Sequence, residues 1–128
     1  MATWADVEWI GLGLPQTSLG TSWNRPAVQV NDKWFALDRG PRPDAVDDHG
    51  ERIAGLIVLY VADEEAKVAL AQDDSGYFMT TPHFAKTRCI LVHLDRIPGA
   101  ELAEVLVESW LLRAPKRLAS AYLVDRAH

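Results

Sequence analysis

Two short apolar runs that flank Asn31-Asp32 constrain the fold of this chain more than any other part of the sequence. The first run is Ala27-Val-Gln-Val30 and the second is Lys33-Trp-Phe-Ala-Leu37, and both are rich in residues that favour β-strands. Asn and Asp tolerate the positive φ angles that a two-residue hairpin turn requires. The pattern therefore predicts a β-hairpin, and a hairpin commits at least part of the sheet to antiparallel pairing.

The second half of the chain predicts two more strands and two helices. A short strand begins at Tyr77 and leads into the Thr81-Pro-His83 turn, and a buried strand follows over 89–94. Pro98 suits the first position of a helix, and Pro115 starts a second helical segment. The inward stripe of the first of these helices is Leu102, Val105, Leu106 and Leu112, and its outer acids are Glu101, Glu104 and Glu108. The second has four residues that are able to pack, namely Leu118, Ala121, Tyr122 and Val124.

The first half supplies the remaining elements. Helical spacing from Trp4 to Leu14 predicts a helix, and a polar turn separates it from Ala27. Residues 53–61 read as a buried strand, and residues 63–70 read as a short helix. Residues 38–52 have almost no apolar content, so we expect an exposed, mobile loop. The order predicts an α+β fold, a single domain over 1–128 whose antiparallel sheet is packed by helices on one side.

Net charge and cysteine content limit the partners and the compartment. The 128 residues carry a net charge of −5, so the chain as a whole does not attract nucleic acid or an anionic membrane. The single cysteine, Cys89, gives no intrachain disulfide, and the N-terminus shows no secretory signal. We therefore expect a cytoplasmic protein without membrane contact, in which DNA binding requires a local basic patch.

An ordered set of short motifs resembles the MmcQ/YjbR family of small bacterial proteins over nearly the whole chain. No single motif is specific, and the order of the set carries the resemblance. The motifs are Leu14-Pro15, Gly20-Thr-Ser-Trp23 before Pro26-Ala27, Lys33-Trp-Phe-Ala36, Phe78-x-x-Thr-Pro-His-Phe84, Ile90-Leu-Val-His-Leu94, Glu101-Leu-x-Glu-x-Leu-x-Glu-Ser-Trp110 and Ala114-Pro-Lys-Arg-Leu118.

The resemblance implies an α+β fold, which in that family is compared with bacterial frataxin and with secretion-chaperone-like sheets. It also implies a DNA-binding "double wing" module, a label that the family carries. Two positions depart from the family pattern. Relatives commonly have a lysine near the end of the strand that here reads Leu59-Tyr60-Val61, and an aromatic residue where Cys89 stands. The missing lysine removes one phosphate contact that the resemblance would otherwise imply.

Basic residues gather at three places in the sequence, which are the long loop (Arg39, Arg42 and Arg52), the Thr-Pro-His turn (Lys86 and Arg88) and the helix corner (Arg113, Lys116 and Arg117). Phosphate binding requires several cations on one face. The cations of the Thr-Pro-His turn and of the helix corner therefore predict a DNA-binding surface if the two groups lie together in the fold. In this hypothesis the β-hairpin acts as a wing, and the candidate DNA contacts are Lys33, Lys86, Arg88, Lys116 and Arg117. The acidic face formed by Glu101, Glu104 and Glu108 opposes this hypothesis. The alternative is that the basic residues are ordinary solvated charges on the surface.

A second candidate site is a cleft around Trp23, Thr81 and His83. A turn histidine beside hydroxyl groups is able to bind an anion or to act as a general base near neutral pH. An exposed Trp23 would mark a surface for a protein or a small ligand. The alternative is that His83 caps the end of a strand through backbone hydrogen bonds.

The sequence shows no combination of residues that supports catalysis or a metal site. Cys89 and His93 share one face of a strand but lie about 13 Å apart, too far for a nucleophile and its base. Asp47-Asp48-His49 does not match the spacing of a calcium loop, and no glycine-rich phosphate loop is present. We expect a non-enzymatic protein without cofactor or metal that binds DNA or, alternatively, a protein or small ligand. The oligomeric state stays open.

Overall fold

The computed structural model describes residues 2–127, in which six strands form one antiparallel sheet with four α-helices around it. The strands are β1 (Thr17–Ser22), β2 (Arg25–Val30), β3 (Lys33–Asp38), β4 (Leu56–Tyr60), β5 (Phe78–Met79) and β6 (Cys89–His93). The helices are α1 (Trp4–Leu12), α2 (Glu64–Ala71), α3 (Gly99–Arg113) and α4 (Lys116–Ala127), and a 3-10 turn spans Pro82–Phe84. The strand order is β1-β2-β3-β4-β6-β5, and every neighbouring pair is antiparallel. The predicted α+β class is confirmed.

The predicted hairpin is confirmed as β2 and β3. Val30 pairs with Lys33 across the turn, and Asn31 and Asp32 have φ angles of 47° and 68°. A two-residue hairpin turn requires such positive φ angles, and Asn and Asp tolerate them. The hairpin places Lys33 at the end of the sheet where β3 begins.

The segment expected to be a polar turn instead contains β1, which pairs with the whole of β2. The turn itself is confined to Trp23 and Asn24, whose φ angles are 51° and 62°. The strand lies at one edge of the sheet and none of its six residues is buried, so no inward apolar alternation marks it in the sequence.

One face of the sheet is covered by α1 and α3. A Cβ at Gly11 would lie 2.9 Å from Cγ1 of Val28, so glycine lets α1 approach the sheet. Trp110 is fully buried, donates its indole N–H to the carbonyl oxygen of Pro15 at 3.2 Å, and packs against Tyr122 of α4. Trp110 therefore joins the end of α1 and the start of α4 to α3.

Some details of the predicted helices are wrong. Pro98 is the residue before α3 rather than its first residue, and its backbone is extended. Leu112, expected to face inward, is 45% exposed because the core-facing stripe continues through Ser109 and Trp110. In α4, Leu118 and Tyr122 contact the core whereas Ala121 and Val124 are exposed. No helix within residues 2–127 is long and apolar enough to cross a membrane.

The other face of the sheet is covered by two irregular segments, the Pro82–Thr87 turn and residues 39–55. Phe84 of the turn and Ala45 of the long segment pack on an apolar patch formed by Ala27, Leu37, Leu56, Val58 and Leu91. The long loop is thus only partly exposed, in contrast to the prediction. Arg39, Gly40 and Ala45 are buried, and Val46 pairs with Arg52 in an isolated bridge. An apolar sheet face requires such a cover.

Candidate functional site

Several of the predicted cations converge at one end of the sheet. Here β3 and β6 begin and β4 ends, so Lys33 and Arg88 lie at the same end, and the N–H of Val61 donates to the carbonyl of Arg88 at 2.8 Å. Helix α3 ends there too, and the Nε–H of Arg113, its last residue, donates to the carbonyl of Trp34 at 3.0 Å.

The exposed residues Lys116 and Arg117 follow within four positions of Arg113 and open α4. We call the set of cations that lie towards this end the basic end, and it comprises Lys33, Arg88, Arg113, Lys116 and Arg117. Lys86 is exposed on the neighbouring turn, two residues before Arg88, and borders this set. Four of the five proposed DNA contacts thus belong to the basic end and the fifth lies beside it.

Arg113 lies beside Tyr60 at the end of β4, the strand in which the family resemblance implies a lysine. Tyr60 ends β4, and the guanidinium carbon of Arg113 lies 4.2 Å from the centre of its ring. Burial raises the pKa of Tyr60, the neighbouring Cys89 raises it further, and the charges of Arg113 and Arg88 act in the opposite direction. A cation from α3 therefore lies next to the end of β4.

Carboxylates border the basic end, although none of them forms an ion pair with its five cations within the described residues. Asp32 lies in the hairpin turn, and Asp63 and Glu64 begin α2 just after β4. The outer acids of α3 are exposed as predicted. Helical rise separates Glu101 from Arg113 by about 18 Å along the axis and Glu104 by about 14 Å, whereas Glu108 is separated by only about 8 Å. The acidic face of α3 thus lies mostly towards the other end of the helix.

The second candidate cleft is formed in part. Trp23 is 66% exposed, and its ring lies 6.4 Å from that of His83 in an edge-on arrangement. His83 lies 4.7 Å from the ring of Phe84, again edge-on. Thr81, however, is 5% exposed and lies beneath this surface rather than on it. The three predicted residues therefore meet around the turn, with two at the surface and one in the interior.

An ion pair between the buried Arg39 and the exposed Asp44 was not predicted from the sequence. Arg39 is not an exposed loop cation, since its side chain is 8% exposed and its Nη2 lies 2.7 Å from both carboxylate oxygens of Asp44. Its guanidinium also lies 4.8 Å from the centre of the Phe84 ring. Arg39 Nη1 and Thr81 Oγ1 are both buried without a hydrogen-bond partner among the described residues. No sequence signal marks this pair, because arginine in a polar loop is usually solvated.

Lys67 of α2 fixes the Pro82–Thr87 turn and was also not predicted. The side chain is almost fully buried, and its ammonium donates to the carbonyl oxygens of Phe84, of Thr87 at 2.8 Å and of Ala85 at 3.4 Å. A lysine on a short helix gives no sign of such a role, because its partners lie about 20 residues away in the sequence.

Cys89 and Asp47 have structural rather than chemical roles. Burial raises the pKa of the Cys89 thiol, which keeps it protonated and unreactive. Asp47 Oδ1 accepts hydrogen bonds from the N–H groups of His49 and Glu51 and thereby stabilises its own turn. Across the part of the chain that the structure describes, no three His, Cys, Asp or Glu side chains lie close enough to hold a metal ion.

His93 lies on the wall of a cleft of about 630 Å³ between residues 46–54 and the ends of β5 and β6. Its side chain is buried, and the same cleft contains the charged groups of Asp47, Asp48, Arg52, Asp95 and Arg96. Burial lowers the pKa of His93 below its usual value of 6.5, Arg96 lowers it further, and Asp95 opposes them. The imidazole is therefore neutral around pH 7.

We expect His93 to make the stability of the protein depend on pH. Its folded pKa lies below 6.5, so the unfolded chain binds a proton first, and stability is complete above 6.5 and is lost as the pH falls through the folded pKa. Urea unfolding at pH 7.5, 6.5 and 5.5 should show a smaller loss in His93→Gln than in the wild type. Parallel curves for the two proteins would contradict this assignment.

Comparison with known proteins agrees with this architecture. A family model described as YjbR matches residues 12–112. The chain is 36% identical over 136 residues of alignment to the uncharacterized protein Rv2570 of Mycobacterium tuberculosis and to the uncharacterized protein Mb2600 of Mycobacterium bovis, with 98% of each chain covered. It also resembles the crystal structure of Deinococcus radiodurans protein DR2400, a DUF419 domain, with a TM-score of 0.63 and 22% identity over 88% of this chain and 78% of that one. This structural likeness concerns the fold.

Proposed function

The chain belongs to the YjbR family, and from the cations gathered at one end of its sheet we propose that it is a non-enzymatic module that binds DNA through the phosphate backbone. The observation that carries the proposal is the convergence of Lys33, Arg88 and Arg113 with the start of α4. Binding to phosphates requires such convergence, because affinity comes mainly from the release of counterions by several cations at once.

Two features of the basic end support contact with a duplex. The β2–β3 turn, the proposed wing, lies at this end and carries Lys33 directly after it. Arg113 is held in place by the Trp34 carbonyl and the Tyr60 ring, so less side-chain entropy is lost when it meets a phosphate. The geometry therefore favours recognition of the backbone rather than of particular bases.

The net charge of −5 restricts binding to this local surface. We expect weak, sequence-independent affinity, in the range of about 10⁻⁴ to 10⁻⁶ M at physiological salt. The rest of the surface repels the duplex. Lower ionic strength should therefore strengthen binding only in protein that retains the five cations of the basic end.

The test is fluorescence anisotropy with three unrelated 20-base-pair duplexes at low salt. We expect binding to all three with affinities that agree within about threefold, because phosphate contacts carry no sequence information. An acidic polypeptide such as polyglutamate serves as the control for simple charge attraction and should bind more weakly than the duplexes. No binding to any duplex at low salt would refute the proposal.

A second candidate function, recognition of a ligand beside Trp23 and His83, is favoured by one specific observation. The Trp23 side chain is 66% exposed and its ring lies 6.4 Å from that of His83, so this surface offers two adjacent rings to a ligand.

A further inference from the structure

We propose that two copies of this protein associate through the free edge of β1, which pairs in antiparallel fashion with β1 of the second copy. The strand spans Thr17–Ser22 and lies at one edge of the sheet. Its inner side pairs with β2 along its whole length, and no strand within residues 2–127 covers its outer side. The interaction surface is therefore a backbone edge, and its partner is a second copy of the same strand.

The two edges of the sheet differ in their protection against pairing with another chain. At the far edge β5 has only two residues, Phe78–Met79, so it offers little backbone to a new strand. In contrast, β1 has six residues, pairs with β2 in a continuous register, and contains neither proline nor a charged side chain. Short length, proline, bulges and charge are the features that keep edge strands apart. None of them protects β1.

The turn between β1 and β2 determines which backbone groups of β1 face outward. Trp23 and Asn24 form a two-residue turn with positive φ angles, and the flanking pair Ser22–Arg25 closes such a turn by hydrogen bonds. Hydrogen-bonded and non-hydrogen-bonded pairs then alternate along the ladder. Every second residue of β1 therefore directs its amide and carbonyl groups to the free edge, and these residues are Thr17, Leu19 and Thr21.

These outward groups match those of a second copy in one register. If Leu19 pairs with Leu19 of the second copy, each Thr17 pairs with Thr21 of the other chain. Each of the three pairs exchanges two hydrogen bonds, so all outward groups are used. A shift of two residues in either direction leaves one outward residue of each copy without a partner in β1. The two-fold axis therefore passes beside Leu19.

The side chains of β1 also suit this register. Leu19 lies opposite Val28, which packs against α1, so its side chain lies on the helix-covered face, where it is 50% exposed. In the dimer the two Leu19 side chains lie opposite each other and remove apolar surface from water. On the other face Ser18 lies opposite Gly20 of the second copy, and both are small and uncharged.

Charge favours this edge over the rest of the surface as the contact between copies. Each chain carries a net charge of −5, so two copies repel each other in general. The neutral strand β1 brings no like charges together when it pairs with itself. The interface is small, and interfaces below about 1,200 Å² are weak and transient. We therefore expect a reversible dimer with a Kd of about 10 to 100 µM.

The dimer leaves both basic ends free. Alternate strands of an antiparallel sheet run in the same direction, so β1 begins at the same end as β3, which is the basic end. The β1 strand of the second copy runs the opposite way, so its basic end lies at the opposite end of the joined sheet. Duplex affinity per copy should not depend on dimerisation, and failure of either proposal leaves the other standing.

The test combines sedimentation velocity with amide hydrogen exchange, both on the wild-type protein between about 5 µM and about 1 mM. We expect the mass to rise from that of a monomer towards that of a dimer. In the same range the amides of Thr17, Leu19 and Thr21 should exchange about fivefold more slowly, because dimerisation gives them acceptors. Exposed amides outside β1 should keep their exchange rates.

Leu19→Lys places two ammonium groups opposite each other at the centre of the interface, so its Kd should rise at least about 10-fold. Leu123→Lys is the matched control, since it makes the same change at a similarly exposed leucine of α4. Its Kd should stay within about twofold of the wild type. Urea unfolding checks that both variants remain folded.

Three results would overturn the inference. A wild-type protein that stays monomeric at about 1 mM has no second copy at the edge. A dimer that Leu123→Lys disrupts and Leu19→Lys leaves intact forms through α4 instead. A dimer in which the amides of Thr17, Leu19 and Thr21 exchange as fast as in the monomer forms at another surface. The wild-type exchange data keep the test decisive even if Leu19→Lys fails to fold.

Discussion

Replacing Trp110 with alanine is expected to lower the free energy of unfolding by about 3 to 5 kcal/mol. The side chain is fully buried between α3 and the sheet, and its removal leaves a large cavity. The variant also loses the hydrogen bond to the Pro15 carbonyl and the contact with Tyr122, so the start of α4 loses part of its support. Urea unfolding followed by far-ultraviolet circular dichroism measures the change.

Trp9→Ala is the matched control, because it deletes the same side chain at a site that is 83% exposed. We expect its free energy of unfolding to stay within about 0.5 kcal/mol of the wild type. Equal destabilisation by the two substitutions would show that Trp110 does not hold the helix layer together. A loss confined to Trp110→Ala supports its assignment as the link between α1, α3 and α4.

The triple substitution Arg88→Gln/Lys116→Gln/Arg117→Gln is expected to weaken duplex binding by about 10³-fold at 50 mM salt. For each phosphate contact, the association constant varies with the salt concentration to the power of about −0.9. At this concentration each contact therefore raises the association constant roughly 10-fold. The three side chains are exposed, so the fold should tolerate the change. Fluorescence anisotropy with a labelled duplex gives the affinity.

The matched control removes three exposed cations elsewhere, as Arg42→Gln/Arg52→Gln/Arg96→Gln. It produces the same change in net charge but leaves the basic end intact, so its affinity should stay within about threefold of the wild type. If both triple variants lose affinity equally, binding depends on the overall charge and not on the basic end.

The parts of the fold that the sequence predicts well are those with a local pattern. The β2–β3 hairpin is marked by Asn31-Asp32, β6 by its apolar run, and α3 by helical spacing. The edge strand β1 was missed because its residues pack on few neighbours and therefore show no inward face. The cover of the second sheet face was missed because a few small contacts, such as Ala45, are sufficient to hold a polar segment in place.

The candidate sites depend on contacts between distant parts of the chain, and this limits their prediction. Lys33 and Lys116 lie towards the same end of the sheet because β3, β4 and β6 are neighbours and α3 ends beside them, an order that composition does not reveal. The burial of Arg39 and Lys67 is likewise decided by partners elsewhere, Asp44 and the carbonyls of the Pro82–Thr87 turn. Charged residues carry no local sign that they will be buried.

The dependence of duplex affinity on salt tests the central claim most directly. If the five cations of the basic end contact phosphates, the logarithm of the association constant should fall against the logarithm of salt concentration with a slope of about −3 to −5. The triple variant Arg88→Gln/Lys116→Gln/Arg117→Gln should reduce the steepness of this slope by about 3, one unit for each lost contact. A wild-type slope near zero, or the same slope in both proteins, would contradict DNA binding at the basic end.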